Sequence, residues 1–508
     1  MPRSHRAIDG FAVDLLGQII TQFLTFVSIP IIISNTNQSN YGFWLTIGSI
    51  MTWISITDLG IGLALTRQLI KVQTIFLGDQ LLDKRNILLS TSFVFFLFAG
   101  IVFFVCSVFL YPLSIKWFHI SSIDGQTYFY TYFLAAFAGA ISLPLSIYGG
   151  ILEANQKMVL HRNVATVASL FNIFFSVLSI YFFRDVQFLA LSLLLTVLLK
   201  SLILYFYAHK NYKFSINFSS FSKHEFQGLL KFGGNFQLAK LANTVASNTD
   251  NLFIGSYLGL GFVPIYVFTS KLFQTFSVVI VSKIPGVLFP GLAEIFDQEG
   301  QKKIQFIFTC LIKLLFRIGL FGSVLLFLFN HVFVRLWVGE FNYGGDYLNW
   351  VLVYLLFYET IYRGTAALVM VYGDMANWAY VSLIEAILNI VLSILFVRDF
   401  GLVGIAFATA VSRTFTTGAY LIYYFKQKGL ISKSLINVVL DVFLKSIPTI
   451  AFLFLYKLFF VNHTWLWLIA GGMLGVLINI ITFDLLTIWR FKHEGWRNIL
   501  SKVLYNGN

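Results

Sequence analysis

Apolar runs long enough to cross a bilayer recur from one end of the chain to the other, and this fixes the fold class before any motif is considered. A helix needs about 20 consecutive apolar residues to cross hydrocarbon. Such runs fall near 11–34, 43–66, 88–110, 127–151, 160–183, 187–208, 229–256, 262–284, 315–336, 347–371, 377–397, 402–424, 441–461 and 464–488, fourteen in all. The expected fold is an all-α polytopic membrane protein. Composition agrees: 58% of residues are hydrophobic and 11% charged, against about 25% charged in a soluble domain. That excludes a soluble enzyme and a disordered chain. The first run carries Asp14, Gln18, Gln22 and Pro30 and lacks a small-residue cleavage site, so it reads as a span and not as a cleaved leader.

The basic residues orient the chain. Cytoplasmic loops carry the Lys/Arg excess, and with the N-terminus inside, 23 of the 35 basic residues fall on the inner side and 5 on the outer side: Lys116, Arg184, Arg335, Arg398 and Lys457. Moving or dropping one span would scramble this asymmetry, so both termini are expected in the cytoplasm. The other seven, Lys200, Lys240, Lys271, Lys283, Arg363, Arg413 and Lys445, lie within spans. No connection is long enough to form a soluble catalytic domain. Residues 297–314 read as a short amphipathic helix on the inner surface.

Self-comparison shows an internal repeat. Near an offset of 217, residues 155–185 match residues 372–399, pairing Asn172 with Asn389, Ser176 with Ser393, and Arg184-Asp185 with Arg398-Asp399. YFYAHK (205–210) answers YYFKQK (423–428), and the first and seventh spans align near an offset of 222. Six spans separate the copies, an even number, so the halves share one orientation and are related by an axis along the membrane normal. The expected organisation is a six-helix lobe 1–208, a cytoplasmic linker 209–228, a second six-helix lobe 229–425, and helices 13 and 14 with a tail over 426–508.

Polar side chains in hydrocarbon mark a bundle interior or a watery cavity. Span 7 places Gln237, Lys240, Asn243, Thr244, Ser247, Asn248 and Asn251 on one face; span 1 does the same with Asp14, Gln18, Thr21, Gln22, Thr25 and Ser28. Span 8 adds Lys271, Gln274, Thr275 and Ser282, and span 2 adds Ser49, Thr52, Ser55 and Asp58. The first two helices of each half are thus expected to line a central polar cavity. Lys240 lies about 11 residues into its span and Lys271 about 9, which at 1.5 Å per residue puts both near the midplane. Either Asp250 or Asp58 neutralises them, or they face an anionic substrate.

Other embedded charges have plainer readings. Glu359 and Arg363, and Asp441 and Lys445, are spaced i,i+4 like internal ion pairs. Tyr354, Tyr358 and Tyr362 share the helix of the first pair, where aromatic hydroxyls suit a sugar. Lys200 and Arg413 occupy near-equivalent places in the two halves, where snorkelling to the inner surface is the simpler reading. Glu385 and Asp58 have no basic neighbour in sequence and are candidate proton carriers. Cys106 and Cys310 lie in apolar runs and offer neither a disulfide framework nor a metal site. No Walker A loop, H-E-x-x-H or nucleotide-binding Gly-rich turn occurs, and nothing points to nucleic acid.

With Pro30 and YGFW (41–44), ITDLGIGLALTRQL (56–69), NTDNLFIGSYLG (248–259), PIYVFTSKL (264–272), PGLAEIF (290–296) and RLWVGEFN (335–342), the chain resembles the polysaccharide flippases of the multidrug/oligosaccharidyl-lipid/polysaccharide exporter superfamily. The resemblance implies a non-enzymatic flippase of the bacterial inner membrane that moves undecaprenyl-pyrophosphate-linked oligosaccharide, such as an O-antigen repeat unit, to the periplasmic leaflet. It implies alternating access, a coupling ion (H+ or Na+) and no cofactor, and as partners the lipid-linked anionic sugar, membrane lipids, and a polysaccharide polymerase with its chain-length machinery. On this reading Lys240, Lys271, Arg363, Asn243, Gln18, Gln22, Gln274 and Asn248 bind substrate. Asp58, Asp14, Asp250, Glu359 and Glu385 couple or gate. The alternatives are a drug or small-cation exporter of the same superfamily, which calls for an acidic cavity, and a membrane polymerase or ligase, which calls for a large outer loop.

Overall fold

The computed structural model describes residues 3–52, 58–120, 125–231, 244, 248–283, 301–372, 374–431, 433–459 and 464–485. Among them every regular element is a helix. This follows from the sequence: hydrocarbon offers no water to backbone N–H and C=O groups, so a spanning segment must satisfy its own. Nine described helices are long and apolar enough to cross a bilayer, and the bent pair Phe262–Thr269 and Lys271–Val281 makes a tenth if it is one span. One of the nine, Asn377–Gln427, covers two expected spans, 377–397 and 402–424. Its break is Gly401, at φ 58° and ψ −132°, a conformation open to glycine alone. The helix Asp346–Val371 has spanning length but carries Glu359 and Arg363, which lower its hydropathy.

By its contacts the chain forms two compact units, residues 1–264 and 265–508. In the first, the 40-residue helix Gly78–Trp117, about 60 Å long at 1.5 Å per residue, packs against Gly125–Leu145, which in turn packs against Gln187–Asn211. Its core includes Leu88, Leu89, Phe96, Ile147, Ile151 and Leu152, all within a few per cent of full burial. Residues 209–228, expected as a linker, are seated on this unit. The backbone N–H groups of Ser215, Asn217 and Ser222 donate to Asn86 Oδ1 (2.9 Å), Ser90 Oγ (3.0 Å) and Thr91 Oγ1 (3.1 Å). Phe214, Ile216 and Phe226 pack into the same core. Beyond the segment, Asp250–Tyr257 packs on Gln38–Thr52, with Asn251 Nδ2 donating to Ser49 Oγ at 2.9 Å.

In the second unit the expected surface helix 297–314 is corrected over 301–314; its first four residues lie outside the described residues. Residues Gln301–Val338 form one 38-residue helix. Ile304, Phe308, Leu311, Ile312 and Leu315, spaced on one face, are buried against Leu368, Trp378, Leu421, Tyr424 and Phe425. The apolar stripe meets protein, and so the helix continues without a break into the expected span 315–336. Arg317 then ties it to the C-terminal helix Trp465–Ile480, donating through Nε to Asn479 Oδ1 (2.9 Å) and through Nη2 to the Asn479 carbonyl (3.0 Å), with its guanidinium 4.3 Å from the Phe483 ring centre.

Two of the residues paired in the sequence repeat, Asn172 and Asn389, each make a hydrogen bond from one helix to the next. Asn172 Nδ2 donates to Thr196 Oγ1 at 3.1 Å in the first unit, and Asn389 Nδ2 donates to Thr409 Oγ1 at 2.9 Å in the second.

Candidate functional site

The strongest concentration of charge among the described residues lies inside the second unit. Glu359 is 3% exposed. Its Oε1 accepts from Arg363 Nη2 at 2.8 Å and from Arg413 Nη1 at 3.1 Å, and its Oε2 accepts from Ser277 Oγ at 2.5 Å. Arg413 reaches a second carboxylate, with Nε 3.4 Å from Glu385 Oε1. Glu385 Oε2 accepts from Thr417 Oγ1 at 2.6 Å. Two arginines and two glutamates thus cancel each other's charge where unpaired charge would be costly.

Helix geometry positions these groups. The i,i+4 spacing brings Arg363 over Glu359. Ser277 and Thr417, which supply hydroxyls to the two carboxylates, each lie in a π-helical turn, Ser277–Val281 and Thr414–Gly418. Such turns swing a side chain out of the ordinary helical register and recur at functional sites. Tyr358 OH donates to the Arg413 carbonyl at 2.8 Å, and Tyr354 OH lies 2.6 Å from Thr414 Oγ1, so these two hydroxyls fasten one helix to its neighbour. The Arg363 side chain is 39% exposed while that of Arg413 is 12% exposed. Arg363 uses Nε and Nη2 on Glu359, and Nη1 takes no part in that pair. The outer edge of its fork is the more exposed part of the network.

A second feature lies within the first unit: a cavity of about 690 Å³ lined by Asp58, Glu153, His161 and hydroxyl side chains among apolar ones. Its volume falls in the range of small-molecule sites. Asp58 Oδ1 accepts from the Gly62 N–H at 2.9 Å. His161 Nδ1 and Glu153 Oε1 are 2.9 Å apart. Gly149 makes room for the ring, since a Cβ there would lie 2.9 Å from His161 Nε2.

The sequence-derived candidates separate accordingly. Glu359, Arg363 and Glu385 come together. Arg413 joins them, against the expectation that it snorkels, because two carboxylates hold it. Glu385, without a basic neighbour in sequence, has this one in space. Asp58 lines the cavity of the first unit. Gln18 and Gln22 are half-buried on Arg3–Ser34, where Thr21, Thr25 and Ser28 donate to that helix's own carbonyls at 2.9, 2.7 and 3.0 Å. Asn248 Nδ2 donates to the Thr244 carbonyl at 2.9 Å, and Asp250 opens the helix Asp250–Tyr257. Lys271 opens Lys271–Phe276, and Gln274 Nε2 donates to Ser270 Oγ at 3.0 Å. Lys240, Asn243 and the side chain of Asp14 lie outside the described residues. The pair Asp441–Lys445 is present at 2.8 Å, and Lys313 Nζ joins it at 3.1 Å. No group of three or more His, Cys, Asp or Glu able to hold a metal occurs among the described residues.

Comparison with known proteins places this architecture. Similar solved structures include the lipid II flippase MurJ in an inward closed conformation, with TM-score 0.70 and 15% identity, covering 95% of this chain and 99% of that one. A multidrug resistance MATE family transporter of the MOP superfamily, inward-facing, has TM-score 0.67 and 14% identity, covering 82% and 98%. A MOP superfamily transporter from Pyrococcus furiosus has TM-score 0.56 and 14% identity, covering 83% and 95%. At these identities the likeness establishes the fold. No curated protein matches the sequence significantly. The sequence profile described as polysaccharide biosynthesis protein matches residues 7–296, more than half of the chain, and the protein therefore belongs to the polysaccharide biosynthesis protein family, as a multi-pass membrane protein on the fold of the MOP superfamily transporters.

Proposed function

We propose that the protein carries a polyprenyl-pyrophosphate-linked oligosaccharide from the cytoplasmic to the periplasmic leaflet of the bacterial inner membrane by alternating access. The observation that carries this reading is membership of a polysaccharide biosynthesis family on a transporter fold. The chemistry is compatible: a pyrophosphate-sugar headgroup is anionic and rich in hydroxyls, and a guanidinium fork suits phosphate oxygens. Arg363 supplies that fork, with Lys240 and Lys271 as further cations, and Asn243, Asn248, Gln18, Gln22 and Gln274 as partners for sugar hydroxyls.

The charge network gives coupling a physical form. Glu359 and Glu385 are held by arginines, so a proton arriving on either would weaken an ion pair and free a cation for the substrate. Asp58, Asp14 and Asp250 are the other coupling candidates, with H+ or Na+ as the ion. A polymerase with its chain-length machinery would receive the product outside.

Reconstitution in liposomes with a fluorescent lipid-linked oligosaccharide in the inner leaflet tests the proposal. Wild-type protein is expected to expose the sugar to an external lectin without lengthening it. Arg363→Ala is expected to slow exposure at least about tenfold, the scale of one charge-assisted hydrogen bond, with an unchanged melting temperature. Wild-type protein that leaves the sugar protected would overturn the reading, and sugar chain growth would replace it with a polymerase. The small-cation exporter reading draws on the acidic cavity of the first unit; export of a lipophilic amine by protein that fails to move the sugar lipid would favour it.

A further inference from the structure

Lys313, Asp441 and Lys445 form another charge cluster in the second unit, and unlike the network around Glu359 it does not balance. Asp441 accepts from Lys445 Nζ at 2.8 Å, and Lys313 Nζ lies 3.1 Å from its Oδ2. The cluster joins two packed helices, Gln301–Val338 and Lys433–Phe459. Two ammonium groups share one carboxylate, and among the described residues no other carboxylate pairs with either lysine. One positive charge is left over. Around Glu359, by contrast, two arginines meet two glutamates and the sum is zero.

The surplus charge has a definite depth. The expected spans begin at 315 on one helix and at 441 on the other, so Lys313 and Asp441 stand at the hydrocarbon boundary, at the end that the cation asymmetry assigns to the cytoplasm. Lys445 is one turn further in, about 6 Å at 1.5 Å per residue. The side chains of Lys313, Asp441 and Lys445 are 33%, 40% and 22% exposed. Leu314, Leu440 and Leu444, next to them in sequence, are exposed as well, so the surface beside the cluster is apolar. A lysine ammonium carries three N–H donors, and the pairs with Asp441 leave donors on both ammonium groups for a second acceptor.

The acceptor that completes this site has one negative charge, oxygens for two ammonium groups and an apolar body for the leucines. A phosphodiester on two acyl chains meets all three conditions. A zwitterionic phospholipid brings its own ammonium into competition with the lysines. A phosphate monoester or a pyrophosphate sets two or more charges against a surplus of one, beside the Asp441 carboxylate. Basic pockets between membrane helices take anionic headgroups in this way.

We infer that Lys313 and Lys445 hold the phosphate of one anionic phospholipid of the inner leaflet, with Asp441 setting the two ammonium groups side by side. The lipid lies over the seam between the two helices and clasps Lys433–Phe459 to Gln301–Val338. The site stands or falls apart from the transported substrate, because lipid binding and not sugar-lipid movement is measured.

The test uses purified full-length protein stripped of lipid in a neutral maltoside detergent. It is titrated with short-chain phosphatidylglycerol, or with phosphatidylcholine of the same chains, and followed by native mass spectrometry and by thermal melting. Wild-type protein is expected to retain a single phosphatidylglycerol, to melt higher with it, and to retain no phosphatidylcholine. Lys313→Gln and Lys445→Gln each leave a neutral lysine–aspartate pair, so melting without lipid is expected to stay the same. Affinity for phosphatidylglycerol is expected to fall about tenfold or more in each, the scale of one charge-assisted hydrogen bond. Lys223→Gln, which removes an exposed lysine of the segment 209–228, is expected to bind as wild type does. Wild-type affinity in both of the first two variants, an equal loss in Lys223→Gln, or equal retention of phosphatidylcholine overturns the inference. Displacement of the phosphatidylglycerol by an equimolar polyprenyl phosphate overturns its assignment to a phospholipid.

Discussion

Arg413 shows how a single side chain in a membrane protein acquires its meaning from distant sequence. It spans the gap between Glu359 Oε1 and Glu385 Oε1, at 3.1 and 3.4 Å. Removing one member of a buried ion-pair network leaves the others desolvated without compensation, which costs roughly 3–5 kcal/mol. Arg413→Ala is therefore expected to lower the melting temperature strongly and to reduce the yield of folded protein in detergent. Arg363→Ala leaves Glu359 paired with Arg413, and the half-exposed position is expected to tolerate the change, so that transport falls while stability holds. The contrast is checked by melting both variants side by side; equal destabilisation would contradict the division of labour between the two arginines. Of these residues, Glu359 and Arg363 are legible in the sequence because four positions on a helix make neighbours. The pairings of Arg413 are not, since its partners Glu359 and Glu385 lie 54 and 28 positions away and nothing local announces them.

At the scale of the element, the breaks matter as much as the helices. Gly401 divides a 51-residue helical stretch by adopting φ 58° and ψ −132°. Gly401→Ala is expected to destabilise the protein by about 1–3 kcal/mol, the cost of a residue held in a disfavoured backbone region, read as a lower melting temperature in detergent. The paired bonds Asn172–Thr196 and Asn389–Thr409 allow a second check: Asn172→Ala and Asn389→Ala should each cost about 0.6–2 kcal/mol, the range for hydrogen bonds between membrane helices, and their effects should add. The amphipathic stripe of 301–315 marks the limit of periodicity as a guide. A 3.6-residue apolar pattern states that one face avoids water, and it reads the same whether that face meets lipid headgroups or, as here, Trp378 and Leu421. The expected separate surface helix is therefore indistinguishable in sequence from the first turns of a long buried one.

For the molecule as a whole, the distribution of cations carries a topology that chemistry can read. With Cys106 and Cys310 replaced by alanine, single cysteines are expected to react from opposite sides: His224→Cys from the cytoplasm and Phe341→Cys, at a position 97% exposed, from the periplasm. Labelling of both from one side would break the assignment of orientation. The sequence repeat and the compact bodies obey different rules, since the repeat records ancestry while compactness records present contacts. This explains why the chain divides at Pro264 and Ile265 and not at the polar segment between the repeats. The helix Asp250–Tyr257 follows the polar segment 209–228, yet it lies in the first unit and is tied there by its Asn251–Ser49 bond. The consequence is practical for anyone dividing the gene. Two polypeptides separated after Gly261 would leave each compact unit nearly whole, losing the backbone bonds from Phe262 and Val263 to Gly259 and Leu260, whereas a break within 209–228 would part Leu229 from the chain that holds its core and send Asp250–Tyr257 away from the unit it packs in.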